Sequence, residues 1–216
     1  MSKFNFLIAL SILSGSFCTS LYAQKLENVD ISKVTTTVNR TIQMNSGHKK
    51  QIISVNPSSG SGIIMIKYPG FETGEIQFEV KGQDSYQKSF VGLAFHIKDK
   101  QTYEAIYFRP FNFNTDDEQR KKHAVQYVSL PNNDWEILRT NFPLKYEQPV
   151  NEHINPNDWF TVRIKVEATK ISVFTNDQTK PCLEVTPLAE KGAGKIGFFV
   201  GNNSPGDFRN LKISRN

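Results

Sequence analysis

From Val34 to Ser214 the chain runs as short segments of β-branched and aromatic residues, interrupted by Gly, Asn, Asp or Pro. This punctuation limits the fold more than any other feature. Segments of five to nine residues, with one of eleven, rich in Val, Ile, Thr, Phe and Tyr and broken by turn residues read as strands. The clearest are Val34–Met44, Gln51–Val55, Gly62–Tyr68, Glu75–Lys81, Ser89–Ile97 and Thr102–Arg109, followed by His123–Ser129, Trp159–Glu167, Ile171–Thr175, Gly194–Gly201 and Asp207–Ser214. About eleven strands in one domain predict an all-β fold of two sheets packed face to face.

Alternation predicts which strands have a wet side. Phe160, Val162, Ile164 and Val166 alternate with Thr161, Arg163, Lys165 and Glu167, and Ile76, Phe78 and Val80 alternate with Glu75, Gln77 and Glu79. Such strands present one face to water. Phe90–Ile97 is apolar on both parities apart from Gly92 and His96, which predicts a central strand covered on both sides. One helix is predicted, with Asp134 capping Trp135–Arg139 and Pro143 ending it. It lies in the weakly patterned stretch 131–158, which is long enough to predict a segment folded over one end or face of the sandwich.

The chain opens with Lys3, an apolar run from Phe6 to Leu13, and Ser20-Leu21-Tyr22-Ala23. This predicts a signal peptide over residues 1–23 and a single β-sandwich domain over 24–216, secreted or periplasmic, with no membrane span in the mature chain. Cys18 leaves with the leader, so Cys182 stands alone, beside a strand-like Leu183-Glu184-Val185 and with no basic partner nearby in sequence. It is expected to be a small core or edge residue. The net charge of +5 is dispersed, and Arg120-Lys121-Lys122 follows Asp116-Asp117-Glu118 with only Gln119 between. Nucleic acid, which needs a stripe of one sign, is therefore not an expected partner.

Most catalytic signatures are missing. His48, His96, His123 and His153 show no metal-binding spacing, and no G-x-S-x-G turn or phosphate loop occurs, so neither a metal nor a cofactor is expected. Glu75 and Glu79 share a strand face, but at about 3.3 Å per residue they stand roughly 13 Å apart, too far for a glycosidase pair limited to about 9.5 Å. The densest polar constellation is in Thr102–Asn112 and the strand after it. Parity puts Tyr103, Tyr107 and Arg109 on one face and Glu104, Ile106 and Phe108 on the other, while His123, Gln126 and Tyr127 follow. Aromatic rings beside Arg, Gln, Asn and Glu suit a saccharide, whose CH faces stack and whose hydroxyls need polar partners.

At YEAIYFRPFNF, HAVQY, NDWF and the terminal GKIGFFVGNNSPGDFRNLKI the sequence resembles secreted concanavalin A-like sandwich proteins. Within that superfamily it is similar to the 3-keto-disaccharide hydrolase family and to laminin G-like domains, over roughly Ile63 to Ile213. The resemblance implies a jelly-roll sandwich that handles an oligosaccharide or other glycan. It also implies an acidic residue after an aromatic, here Tyr103-Glu104, with Ile106 standing where the family has a polar residue. The expected ligand-binding residues are Tyr107, Arg109, Asn112, Gln126, Tyr127 and Glu147. Were the protein an enzyme it would be a glycosidase-type hydrolase, with Glu104 and His123 as acid and base and Glu147 in reserve. The alternative is a non-catalytic adhesion or scaffold module with a protein partner. Convergence of Glu104, Arg109, His123 and Gln126 in one concavity would favour the small ligand, and their scatter over an open face a protein partner.

Overall fold

The computed structural model describes residues 25–45, 51–151, 153–190 and 192–216. The expected leader and His48 lie outside the described residues. In chain order the strands are β1 (Glu27–Asn28), β2 (Val34–Val38), β3 (Ile42–Asn45), β4 (Ile52–Val55), β5 (Gly62–Phe71), β6 (Gly74–Lys81), β7 (Val91–Ile97) and β8 (Tyr103–Phe108). After a 3-10 turn at Pro110–Asn112 and helix α1 (Glu118–Lys121) come β9 (Val125–Leu130), helix α2 (Trp135–Asn141) and β10 (Glu147–Gln148). The chain ends with β11 (Phe160–Val166), β12 (Ile171–Thr175), β13 (Leu183–Val185), β14 (Gly194–Val200) and β15 (Gly206–Arg215).

These strands form two antiparallel sheets. One has the order β13-β12-β11-β6-β15-β4-β3, with β1 also paired to β15, and the other β10-β9-β8-β7-β14-β5-β2. The predicted two-sheet sandwich is what forms. Its core lies between the sheets, where Phe198 of β14 stacks on Phe208 of β15 at 4.5 Å and Phe108 of β8 meets Phe160 of β11 edge-on at 5.3 Å. Ile76, Phe78 and Val80 are fully buried, which agrees with the alternation read from β6.

Two expectations change in detail. Val34–Met44 is not one strand: Asn39 takes φ +53°, and the chain crosses from β2 in the seven-stranded sheet to β3 in the other. Arg40 fills this corner, buried, and donates to the carbonyls of Asn39, Gly60 and Gly201. His123 does not begin a strand, because its N–H bonds back to the Arg120 carbonyl in the turn after α1 and pairing starts at Val125.

Helix α2 starts where predicted, with the Asp134 carboxylate accepting from the Glu136 and Ile137 N–H groups. Its buried Leu138 sits at the sheet edge, and β10 extends the seven-stranded sheet beyond β9. Within the stretch 131–158, α2 and β10 thus lie against this sheet. Cys182 is buried, with Sγ 3.4 Å from the Val173 carbonyl, as expected of a packing residue.

Candidate functional site

Residues directly opposite one another in a ladder point to the same side of the sheet. Because Phe108 and Phe198 face the core, their neighbours Tyr107 and Phe199 face outward. Pairing then traces one row across the outer face: Phe199 opposite Gly92, Gly92 opposite Tyr107, Tyr107 opposite Gln126, and Gln126 opposite Glu147. The adjacent row is Gly197, Ala94, Ala105 and Val128. The rings of Tyr103 and Tyr107 lie 6.3 and 5.4 Å from that of Phe199 and close over these small residues. Burial holds the Tyr103 hydroxyl up at a pKa of about 12, so it stays protonated.

The row becomes polar towards β10. Arg109 follows β8 and donates to the Tyr107 hydroxyl and Gln126 Oε1, both at 3.1 Å, and to the His123 carbonyl at 2.8 Å. Gln126 is oriented by its amide, which donates to the Tyr127 and Tyr146 carbonyls. Glu147 accepts two bonds from Arg139 of α2, at 2.8 and 2.6 Å, and its Oε2 lies 2.9 Å from His123 Nδ1 and 3.8 Å from Arg109. Asn112 braces the turn, donating to the His123 carbonyl and accepting from Arg120 Nε. Burial pulls the Arg109 pKa down from the ordinary arginine value, with Arg139 pulling the same way and Tyr107 and Glu147 opposing.

Exposed aromatics flank this cluster. Trp135 is 44% exposed and carries the Arg139 guanidinium 5.0 Å from its ring centre. On the α1 side, Tyr86 lies under Arg120 at 4.5 Å and meets Phe111 edge-on, which in turn meets Phe90.

The model of the 3-keto-alpha-glucoside-1,2-lyase-like domain matches residues 28–214. The chain belongs to this family. No protein of curated function matches it in sequence. Among solved structures it is similar to carbohydrate-binding module CBM66 from Bacillus subtilis, at 15% identity and a TM-score of 0.59, covering 83% of this chain and 94% of that one. A Bacillus licheniformis β-glucanase aligns at 14% identity and a TM-score of 0.52, with 93% and 95% covered. A putative glycosyl hydrolase from Parabacteroides distasonis aligns at 12% identity and 0.53, with 87% and 90% covered. These likenesses establish a concanavalin A-like sandwich.

Of the residues singled out in the sequence of this family member, the fold gathers Tyr107, Arg109, Asn112, His123, Gln126 and Glu147. It does not bring Glu104 and Tyr127 to them. Both point inward, where the Tyr127 hydroxyl donates to Glu104 Oε1 and accepts from the Leu188 N–H at 2.8 Å. Glu104 Oε2 meets His96 Nδ1, and His96 Nε2 lies 2.7 Å from the Glu72 carbonyl. The expected Glu104–His123 pair is therefore not formed, since the sheet separates the two groups. His96 reaches Glu104 only because β7 bulges there: Lys195 pairs with Ile97 and Gly197 with Ala94, and His96 sits at φ +50°. Desolvation and the Glu104 carboxylate raise the Tyr127 hydroxyl pKa well above the ordinary tyrosine value, so it remains a donor.

Arg139, His96 and Trp135 were not assigned to a site from sequence. Arg139 was legible in part, because the predicted α2 places it one turn after Trp135. Among the described residues, no group of three or more His, Cys, Asp or Glu side chains is placed to hold a metal ion.

His123 titrates below its ordinary value of 6.5. Desolvation is the main cause, Glu147 opposes it, and Arg139 and Arg109 add to it. We expect an NMR titration of its ring protons to show a midpoint below 6.5, lowered further in Glu147→Gln. A midpoint above 6.5 would contradict the geometry. Because the unfolded chain takes the proton first, this group's contribution to stability is complete above about pH 6.5 and declines as the pH falls towards the folded-state value.

Proposed function

We propose that the protein is a secreted or periplasmic saccharide-binding member of its family. The sugar is held at the polar end of the seven-stranded sheet's outer face. The observation that carries this reading is the row Tyr107–Gln126–Glu147, tied to Arg109 and Arg139 and flanked by an exposed Trp. Outward faces of sandwiches are normally solvated, and a buried set of fixed donors and acceptors beside aromatic rings suits a ligand with many hydroxyls. Three of the four residues named for this choice, Arg109, His123 and Gln126, meet there with Glu147, while Glu104 lies on the other side of the sheet; their meeting supports a small ligand over a protein partner. The carbohydrate-binding module and the β-glucanase among its structural neighbours, and a family described by its action on glucosides, support the same class of ligand. Entry is from the rim, where the side chains of His123 and Arg139 are 24% and 35% exposed.

The test is a thermal-shift and calorimetric screen against mono- and oligosaccharides. Ligand at about 100 times its dissociation constant stabilises the fold by about 2.7 kcal/mol, so the absence of any shift at millimolar sugar would sink the reading. Trp135 provides a platform for a second ring. Trp135→Ala is expected to weaken oligosaccharide binding by about five- to tenfold, an estimate from the ~1–1.5 kcal/mol of a ring contact, and to leave monosaccharides nearly unchanged.

The family description favours a second, catalytic reading. His123, kept neutral by burial and held by Glu147, would take the proton from the carbon beside a keto group, with Arg109 facing the oxygen that gains charge. Turnover of a 3-keto glucoside that survives His123→Ala within twofold would dismiss this reading.

A further inference from the structure

The charges in this cluster do not balance. Glu147 is the carboxylate that faces Arg109, Arg139 and His123, and Arg139 donates hydrogen bonds to both of its oxygens. Arg109, only 5% exposed, instead bonds three neutral oxygens: the Tyr107 hydroxyl, the Gln126 amide and the His123 carbonyl. Arg120 repeats the pattern nearby, bonding Asn112 Oδ1 and the Phe111 carbonyl. The other acid close by, Asp134, is occupied in capping α2. A buried guanidinium satisfied by neutral acceptors is a costly arrangement, and sites that keep one commonly use the charge.

We propose that the saccharide bound here is acidic, a uronic acid unit whose carboxylate docks at Arg109. This rests on the saccharide reading above and narrows its substrate class. The planar fork of a guanidinium matches a carboxylate in two parallel hydrogen bonds, a fit that a sugar hydroxyl cannot reproduce. Glu147 accepts from the ring hydroxyls, Gln126 holds Arg109 in place from beneath, and Arg139 and Arg120 add positive potential at the rim. A neutral sugar would leave Arg109 with a single carboxylate contact, the 3.8 Å approach of Glu147, which Arg139 and His123 share.

The experiment compares three ligands on the full chain by calorimetry: a glucuronate-containing disaccharide, its methyl ester and its glucose counterpart. The acid is expected to bind at least about tenfold more tightly than the ester or the neutral sugar, as for a charge-assisted hydrogen bond over a neutral one. That advantage should shrink with added salt and disappear in Arg109→Gln, while Arg109→Lys retains part of it. If acid and ester bind equally, the acidic preference is wrong and the saccharide reading stands. If none of the three binds and the wider sugar screen is also blank, both fall. Should Arg109→Gln fail to fold, the acid-versus-ester comparison on the unmutated protein still decides.

Discussion

Glu104→Ala is expected to cost about 3–5 kcal/mol of unfolding free energy, seen as a melting temperature lower by roughly 10 °C. The carboxylate is 1% exposed and is the shared acceptor for two groups, the His96 ring and the Tyr127 hydroxyl. Removing it leaves the Tyr127 hydroxyl proton and His96 Nδ1 without their shared partner, although Tyr127 still accepts from the Leu188 N–H and His96 Nε2 still lies against the Glu72 carbonyl. Glu104→Gln should be milder but still clearly destabilising, because the amide oxygen accepts from Tyr127 and the NH2, a donor, then replaces the carboxylate oxygen that faces His96. Neither substitution should change sugar binding once the protein is measured well below its melting temperature, since Glu104 faces away from the outer row. Chemical denaturation of the three proteins tests stability. A Glu104→Ala protein as stable as the parent would show that the inward network is not what fixes this residue.

Tyr107 and Tyr127 show how far the sequence could be read and where it stopped. Strand parity placed Tyr103, Tyr107 and Arg109 on one face and Glu104 on the other, and the ladder keeps that division. Parity does not say which face meets the second sheet, so Glu104 and Tyr127 were included with a cluster they never join. Only the contact of Phe108 with Phe160 assigns the inner side. The β-branched and aromatic content of HAVQYVS predicts a strand from His123, yet the short α1, capped by Asp117, ends just before it and turns it towards Glu147. The His96 bulge has no local signal, because it comes from a mismatch between β7 and β14. The link from Arg139 to Glu147 joins a helix to an edge strand across an aperiodic stretch, where pattern reading has no period to follow. The fold was legible because alternation is set by burial. The site was legible only in part because it is set by which strands become neighbours.

Gly92→Ala is expected to be the most damaging single methyl group in the seven-stranded sheet, costing about 3 kcal/mol or more. A Cβ built at Gly92 would lie 2.0 Å from the Ile106 carbonyl oxygen and 2.6 Å from the Tyr107 Cα. Both are backbone atoms of the neighbouring strand β8, so no side chain can swing aside. The strand itself would have to move, and β7 lies between β8 and β14 in the middle of the sheet. A glycine inside a strand ordinarily weakens it, and its use here matches a place where another backbone approaches closely. Gly92 is also the gap in the outer row between Phe199 and Tyr107, whose rings meet across it at 5.4 Å. Displacing β8 would shift Tyr107 and, through its hydroxyl, Arg109. Gly92→Ala should therefore lower both the melting temperature and the affinity for sugar, whereas Glu104→Ala should lower the first alone. If Gly92→Ala melts within about 2 °C of the parent, the close approach of β7 to β8 is wrong, and with it the placement of Tyr107 over the site.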